Sequence, residues 1–377
     1  MEFEEGGYIP ISQRPEWQGI TPLRQPEPST KVVAIRTDPD HADLLGTFWA
    51  ALSSGERSQR VLDLSEEIIL NYNSAHFSVW AWRWECLLSL LKLDTDEGVT
   101  AELELMRRVA TDNPKNYQLW NHRRKFALHR GGGHAGDEME FSAACLAFDQ
   151  KNYHAWAHRQ AILTAFGSHV VSLWAEELAV TEKFLRQDLR NNSAWTQRFF
   201  ILEKMPRGKV LLGTPQEVYD REVDFVIVKI NLAPHNEAAW GYLRALLGSS
   251  SSSNQNLSFP GRKNHKSSKL LPGAPSWALG FEARAQQLCY TILESDFTNV
   301  PALEFLADYY VGRAEILRSM VLEGQDETKE NAVSKRSEAL VAAREAAMEL
   351  HSKLLTAEPS RSAFYTKRLR DIAALTN

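Results

Sequence analysis

The stretch Lys151–Gln160 reads KNYHAWAHRQ, and Lys115–Arg124 upstream reads KNYQLWNHRR. In both, lysine, asparagine and tyrosine precede a tryptophan, and an arginine follows that tryptophan three residues on. A cluster written twice in one chain points to a repeated structural unit. Aligning on tryptophan finds three weaker copies: HFSVWAWR (76–83), NNSAWTQR (191–198) and NEAAWGYLR (236–244). The key residues are Trp80, Trp120, Trp156, Trp195 and Trp240, spaced by 40, 36, 39 and 45 residues. Arg83, Arg123, Arg159 and Arg198 keep the third position, whereas the fifth copy has Leu243 there and Arg244 one later.

An amphipathic segment precedes each signature, as in VTAELELMRRVATDNP and WAEELAVTEKFLRQDLR. Its apolar residues recur at helical spacing and end at a polar break. The unit therefore reads helix, short break, helix, with the second helix beginning near the asparagine, a good N-cap residue. One such hairpin cannot bury its apolar face alone, but stacked neighbours can. The expected fold is all-α, a right-handed superhelical solenoid of helical hairpins. Tryptophan and arginine at i and i+3 share one helix face. Tryptophan is expected to fill the seam between hairpins, and arginine to bond carbonyls or carboxylates at the ends of adjacent helices.

Around this array the organisation is plain. Residues 1–40 are rich in proline and charge and read as an extended lead-in, and 41–377 read as one helical-repeat domain. Its repeats run from about residue 60 to 247. GGGHAGDE (131–138) reads as a turn, and the serine-rich, basic stretch 248–275 as a disordered surface insertion. From 277 to 377 helical spacing continues while the signature fades, as terminal capping units do.

The 377 residues carry a net charge of −5 with both signs interspersed, which argues against a nucleic-acid partner. Cys86, Cys145 and Cys289 are an odd set without a C-x-x-C pair, so they read as buried free thiols rather than as a disulfide frame or thiolate zinc site. The start, MEFEEGGYIPISQRPEW, lacks the apolar core of a secretory signal, and no run is long enough to span a bilayer. The expectation is a soluble, cytoplasmic protein.

No H-E-x-x-H, P-loop, G-x-S-x-G or dinucleotide motif occurs. His154 and His158 have i, i+4 spacing, but no third metal ligand is evident, and the His158 slot holds Trp82, His122 or Gln197 in other copies. No metal site is expected. Lys115 and Lys151 each precede an Asn-Tyr at a helix start, where free N–H groups and a partial positive charge suit an anion. Two readings stay open on spacing alone. Either the two helix-start motifs form one strip for a phosphate or diphosphate, or the lysines are solvated loop residues beside core tyrosines.

The ordered set of signatures resembles the α subunits of protein prenyltransferases, and most closely those shared by protein farnesyltransferase and type I geranylgeranyltransferase. The resemblance runs from about Tyr8 to Leu247 and more loosely beyond. It rests on YIPISQRPEW, GERSQRVLDLSEEIILN, NPKNYQLWNHRR, DQKNYHAWAHRQ, LRNNSAW and LAPHNEAAW. It implies a crescent of hairpins wrapped round a β subunit in an obligate heterodimer. The implied activity moves farnesyl or geranylgeranyl from its diphosphate to the cysteine of a C-terminal CaaX sequence, on substrates such as small GTPases. Zinc is implied in the β subunit, with magnesium as a further cofactor. Residue by residue, Lys115 matches the lysine near the diphosphate and Tyr117 lies beside it. Asn152, Tyr153 and His154 match the strip facing the isoprenoid diphosphate, and Gln118 the glutamine that bonds the peptide carboxylate. One departure stands in the first copy, His76-Phe77 where the family reads Asn-Tyr. That tyrosine lies near the pocket for the last CaaX residue, so the family's preference there does not carry over. Two alternatives are a Rab-type geranylgeranyltransferase α subunit, which the PEW lead-in and ERSQRVL fit less well, and a non-catalytic helical-repeat scaffold.

Overall fold

The computed structural model describes residues 9–24, 38–205, 215–247, 278–323 and 330–375. The whole of the 248–275 insertion lies outside them. Among the described residues the regular structure is helical, with no strand. The chain divides into two compact units, Met1–Val170 and Val171–Asn377.

The first unit holds α1 (Pro39–Ser53), α2 (Gln59–Glu67), α3 (Phe77–Ser89), α4 (Asp96–Asp112), α5 (Tyr117–Arg130), α6 (Ala135–Phe148) and α7 (Tyr153–Phe166). Helices α2/α3, α4/α5 and α6/α7 pack as hairpins, and the second helices α3, α5 and α7 stack in sequence. The second unit holds α8 (Ser172–Gln187), α9 (Asn192–Lys204), α10 (Pro215–Leu232), α11 (Glu237–Leu247), α12 (Ala278–Ser295), α13 (Val300–Glu323), α14 (Glu330–Ala357) and α15 (Ser362–Ala373). There α8/α9, α10/α11 and α12/α13 pair in the same way, while α13 packs along the long α14. Among the described residues no helix is long and apolar enough to cross a membrane.

The cap asparagine explains both where the second helices start and how they stack. Its carboxamide oxygen accepts two backbone N–H groups of the first turn: those of Gln118 and Leu119 for Asn116, and of His154 and Ala155 for Asn152. Its amide nitrogen donates to the preceding unit's turn, Asn116 to the Ser74 carbonyl at 2.6 Å and Asn152 to that of Pro114 at 3.0 Å. Asn236 reaches the Leu189 carbonyl at 2.8 Å in the second unit. Those same three carbonyls also accept the indole N–H of their own unit's tryptophan, Trp80, Trp120 and Trp195, at 2.8–2.9 Å. Asparagine and tryptophan thus meet on one acceptor at each of these three seams. Trp80, Trp120, Trp156, Trp195 and Trp240 are all buried.

The arginines meet expectation only in part. Arg83 and Arg198 bond carboxylates in the interior of the first helices rather than at helix ends, whereas Arg123 bonds one in the first turn of α6. Arg83 reaches Glu102 at 2.6 Å, Arg123 reaches Glu138 at 2.8 Å, and Arg198 reaches Glu222 at 2.6 Å. Arg159 donates to the Met139 carbonyl and the Ser142 hydroxyl. Each glutamate is shared with the slot two residues after the next tryptophan: Glu102 with His122 at 2.6 Å, Glu138 with His158 at 2.9 Å, and Glu222 with the Tyr242 hydroxyl at 2.6 Å. Glu177 is bonded by Gln197 at 2.8 Å in the same way. A buried charge is tolerated only when paired and hydrogen-bonded, and this lattice meets that demand in successive hairpins. Burial pushes the Glu102 carboxyl up, but Arg83 and His122 overcome it and hold it down at about 2.

The described part of the lead-in is docked rather than extended. Ile11 and Trp17 are buried, and Ser12 donates its N–H to Asp43 of α1. Arg14 makes a two-pronged bond to Glu67, while Arg60 stacks 4.6 Å over Trp17 and donates to the Glu16 carbonyl. These contacts join the PEW and ERSQR motifs. Gly46 lets the chain pass α1 closely, since a Cβ there would sit 2.9 Å from Pro22. In the faded C-terminal region Asn299 still caps α13 through the Ala302 N–H, and Leu303 takes the tryptophan's place.

Candidate active site

The caps that turn each asparagine inward turn its neighbour outward. Phe77, Tyr117 and Tyr153 open α3, α5 and α7 and are 68%, 69% and 69% exposed. They form equivalent positions at one end of three stacked helices. Two and three residues further on, Leu119, Trp120, Ala155 and Trp156 are buried. Helical periodicity thus separates an outer surface from the seam within one turn.

Two of these helix starts are joined. The Tyr117 ring meets the His154 ring edge-on at 4.2 Å, and His154 lies parallel to Trp120 at 6.5 Å. His154 also contacts Tyr153 edge-on. Partial burial lowers the His154 pKa, so the ring is neutral near pH 7 and keeps one N–H to donate. Lys115 projects beside this cluster, largely exposed, with its Nζ 3.1 Å from Asp149 Oδ2. Gln118 is half-buried next to Tyr117. Two hydroxyls, the ammonium groups of Lys115 and Lys151 and one neutral imidazole therefore stand at the starts of α5 and α7. Such a surface stabilises negative charge.

Asn152 does not belong to that surface. It is 0% exposed, its oxygen caps α7, and its nitrogen bonds Pro114. With both ends of the carboxamide occupied, its part is to anchor Tyr153 and His154. At the start of α3, His76 replaces the asparagine and caps the helix through Nδ1, which accepts from the Val79 N–H at 3.4 Å. Burial lowers its pKa, and the neutral ring is the form that can accept. Among the described residues no group of three or more His, Cys, Asp or Glu side chains is placed to hold a metal. His158 instead bonds Glu138. Cys86 and Cys289 are buried and Cys145 is half-buried, with burial pushing the first two thiols up to about 11 and about 12.

Motif spacing does not single out the buried glutamates, although a signal for them is present. Glu102, Glu138, Glu177 and Glu222 each precede the next tryptophan by eighteen residues. Asp149 carries a similar mark, since Asp149, Asp188 and Asp296 each stand three residues before a cap asparagine.

Residues 99–130, 136–166 and 174–205 match the model of the protein prenyltransferase alpha subunit repeat. Those spans lie on the hairpins α4/α5, α6/α7 and α8/α9. The protein farnesyltransferase/geranylgeranyltransferase type-1 subunit alpha of Dictyostelium discoideum is 38% identical over 243 residues, which are 64% of this chain and 72% of that protein. The chain belongs to the protein prenyltransferase α-subunit family. The Arabidopsis thaliana protein of the same name is 40% identical over 246 residues, 65% of this chain and 70% of its own. Candida albicans protein geranylgeranyltransferase-I, solved in complex with GGPP, has the same fold. A chain of it superposes with a TM-score of 0.64 over 94% of this chain and 97% of its own, at 23% identity. Within the family frame, the lattice of tryptophan, arginine and glutamate belongs to the repeat itself, and the Lys-Asn-Tyr motifs are what distinguish its second and third copies.

Proposed function

We propose that this chain is the α subunit of a heterodimeric CaaX protein prenyltransferase. With a β subunit it transfers farnesyl, or geranylgeranyl with another β subunit, from the diphosphate to a C-terminal cysteine thiol. The observation that carries this reading is the joined surface at the starts of α5 and α7, where Tyr117 and His154 touch beside Lys115. The named relatives support the reading. Its protein substrates are CaaX proteins such as small GTPases, and its working compartment is the cytoplasm.

As the thiolate sulfur bonds the isoprenoid C1, the C–O bond to the diphosphate breaks and negative charge grows on the leaving group. Lys115 neutralises that charge, and the Tyr117 hydroxyl donates a hydrogen bond to it. Groups fixed where charge develops lower the barrier without reorganising. Tyr153 and the neutral His154 donate to the diphosphate as it binds. Gln118 takes the peptide's terminal carboxylate, and the Phe77 ring forms an apolar wall near the last CaaX residue. Zinc held by the β subunit supplies thiol activation, and the residues of this chain work on the diphosphate and the peptide terminus.

The test is co-expression with the farnesyltransferase β subunit from the same source, followed by farnesyl transfer to a CaaX peptide with zinc and magnesium. Activity that needs both chains and collapses in Lys115→Ala supports the proposal. A stable complex without transfer redirects it to the geranylgeranyl or Rab-type enzyme. Failure to form any complex sinks it in favour of a scaffold.

A further inference from the structure

Lys115 does not stand alone on its surface. The carboxylate 3.1 Å from its Nζ belongs to Asp149, in the turn that leads into α7. The other oxygen of Asp149 accepts the Lys151 backbone N–H at 2.9 Å, which fixes the direction of the group. The same turn recurs where Asp188 accepts from Arg190 at 2.9 Å and where Asp296 accepts from Thr298 at 3.2 Å. The pairing recurs too. His235 holds the place of Lys115 in the fifth copy and lies 2.9 Å from Asp296. Repeat register therefore brings the residue before a cap to the next turn's carboxylate, whether or not a site is built around it. At Lys115 alone among these two pairs do the neighbours include the Tyr117–His154 contact.

We propose that Asp149 is a positioning residue that holds Lys115 and screens it until charge develops on the leaving diphosphate. The inference rests on the reading of Lys115 given above. A diphosphate arriving at this surface meets an ammonium already engaged by a carboxylate. It competes weakly at first and more strongly as negative charge builds. An interaction that strengthens from ground state to transition state raises kcat, whereas one equally strong in both lowers only KM. Asp149 thus moves part of the lysine's contribution from binding to turnover. The Lys151 N–H, then Lys115, hold the Asp149 carboxyl below its ordinary pKa, so the group is ionised at neutral pH.

The test is steady-state kinetics of the complete heterodimer with varied isoprenyl diphosphate. Asp149→Asn keeps an oxygen for the Lys151 N–H, so the turn survives while the charge goes. Both KM for the diphosphate and kcat are expected to fall by about threefold, the scale of a partly exposed ion pair. Asp149→Glu restores the charge and most of kcat. The double variant Lys115→Ala/Asp149→Asn matches Lys115→Ala alone, as it must if Asp149 acts only through that lysine. Asp296→Asn, at the equivalent pair in the second unit, leaves both constants unchanged. Wild-type constants in Asp149→Asn overturn the proposal. So does a fall in kcat at constant KM, which signals lost active enzyme, or a further loss in the double variant. If Lys115→Ala itself turns over normally, the reading of the site fails first and this inference falls with it.

Discussion

The buried lattice and the exposed helix starts lie within one helical turn of each other yet behave differently along the chain. The lattice repeats: asparagine and tryptophan return to a shared turn carbonyl, and glutamate to an arginine, in both units. The helix starts do not. The residue after the cap is Phe77, Tyr117, Tyr153, Asn192 and then Glu237, and the residue before it runs from Lys115 and Lys151 to Arg190 and His235. Stacking imposes a similar demand on successive hairpins, so most of the lattice residues return, with His76, Leu243 and Leu303 as departures. A surface that binds something else is free to differ, and it is specialised only where Lys115, Tyr117, Tyr153 and His154 gather. Variants of the lattice should therefore damage stability, and variants of the helix starts should damage turnover.

The largest effect is expected from Glu138→Ala. It leaves Arg123 and His158 buried without their shared acceptor, and breaking a buried pair costs about 3–5 kcal/mol. Urea unfolding of the purified protein measures it, and a loss below about 1 kcal/mol would place the lattice on a par with surface pairs. Acid probes the same lattice. The Glu102 pKa is depressed to about 2 from 4.5. Its stabilisation is thus complete above about pH 4.5 and lost as pH falls toward 2, on the order of 3 kcal/mol in all. Glu102→Gln should flatten the urea midpoint across that range, whereas an unchanged slope would assign acid unfolding to other groups.

At the exposed surface, Lys115→Ala is expected to lower turnover by roughly tenfold to a thousandfold. The urea midpoint and assembly with the β subunit should stay as in the wild type, since the lysine's ion pair is exposed. Wild-type turnover would remove Lys115 from the mechanism. Asn152→Ser sits on the boundary between the two regions. Serine keeps a cap acceptor and loses the donor to Pro114, at a cost of about 1 kcal/mol. Because Asn152 is buried, turnover of the folded enzyme should remain near wild type. A large loss of kcat with intact stability would return Asn152 to the diphosphate surface.

Much of this is legible in the sequence. Five tryptophan signatures and the segments between them point to helical hairpins, because a period of helix spacing is a property of one segment. Lys115, Tyr117, Tyr153 and His154 stand out for a similar reason, lying in two short contiguous runs. The lattice is harder to read. Its bonds join an arginine on one hairpin to a glutamate on the next and then to a histidine or tyrosine beyond. Read singly, Glu102 or Glu222 looks like any polar residue of an amphipathic helix, and the variable slot holding His122, Gln197 or Tyr242 looks tolerant. Only the shared acceptor shows that these different side chains do one job. The same locality misplaces Asn152, since adjacent letters of one motif point to opposite sides once the cap forms. Likewise the lead-in's Trp17 and the distant Arg60 meet only when the chain folds.

The smallest effect tests the comparison most finely. Phe77, Tyr117 and Tyr153 hold equivalent places and are almost equally exposed, so Phe77→Tyr adds one hydroxyl without disturbing a seam. If the helix starts only decorate the solenoid, the change is silent. If the start of α3 lies near the last CaaX residue, the new donor alters selectivity there by about threefold to tenfold, the scale of one hydrogen bond. Competition between CaaX peptides ending in different residues reads this directly, with the urea midpoint as control. A shift in selectivity at constant stability extends the specialised surface to the first repeat. A shift in stability instead means that Phe77 belongs to the packing, and the line between lattice and binding surface must then be drawn one repeat later.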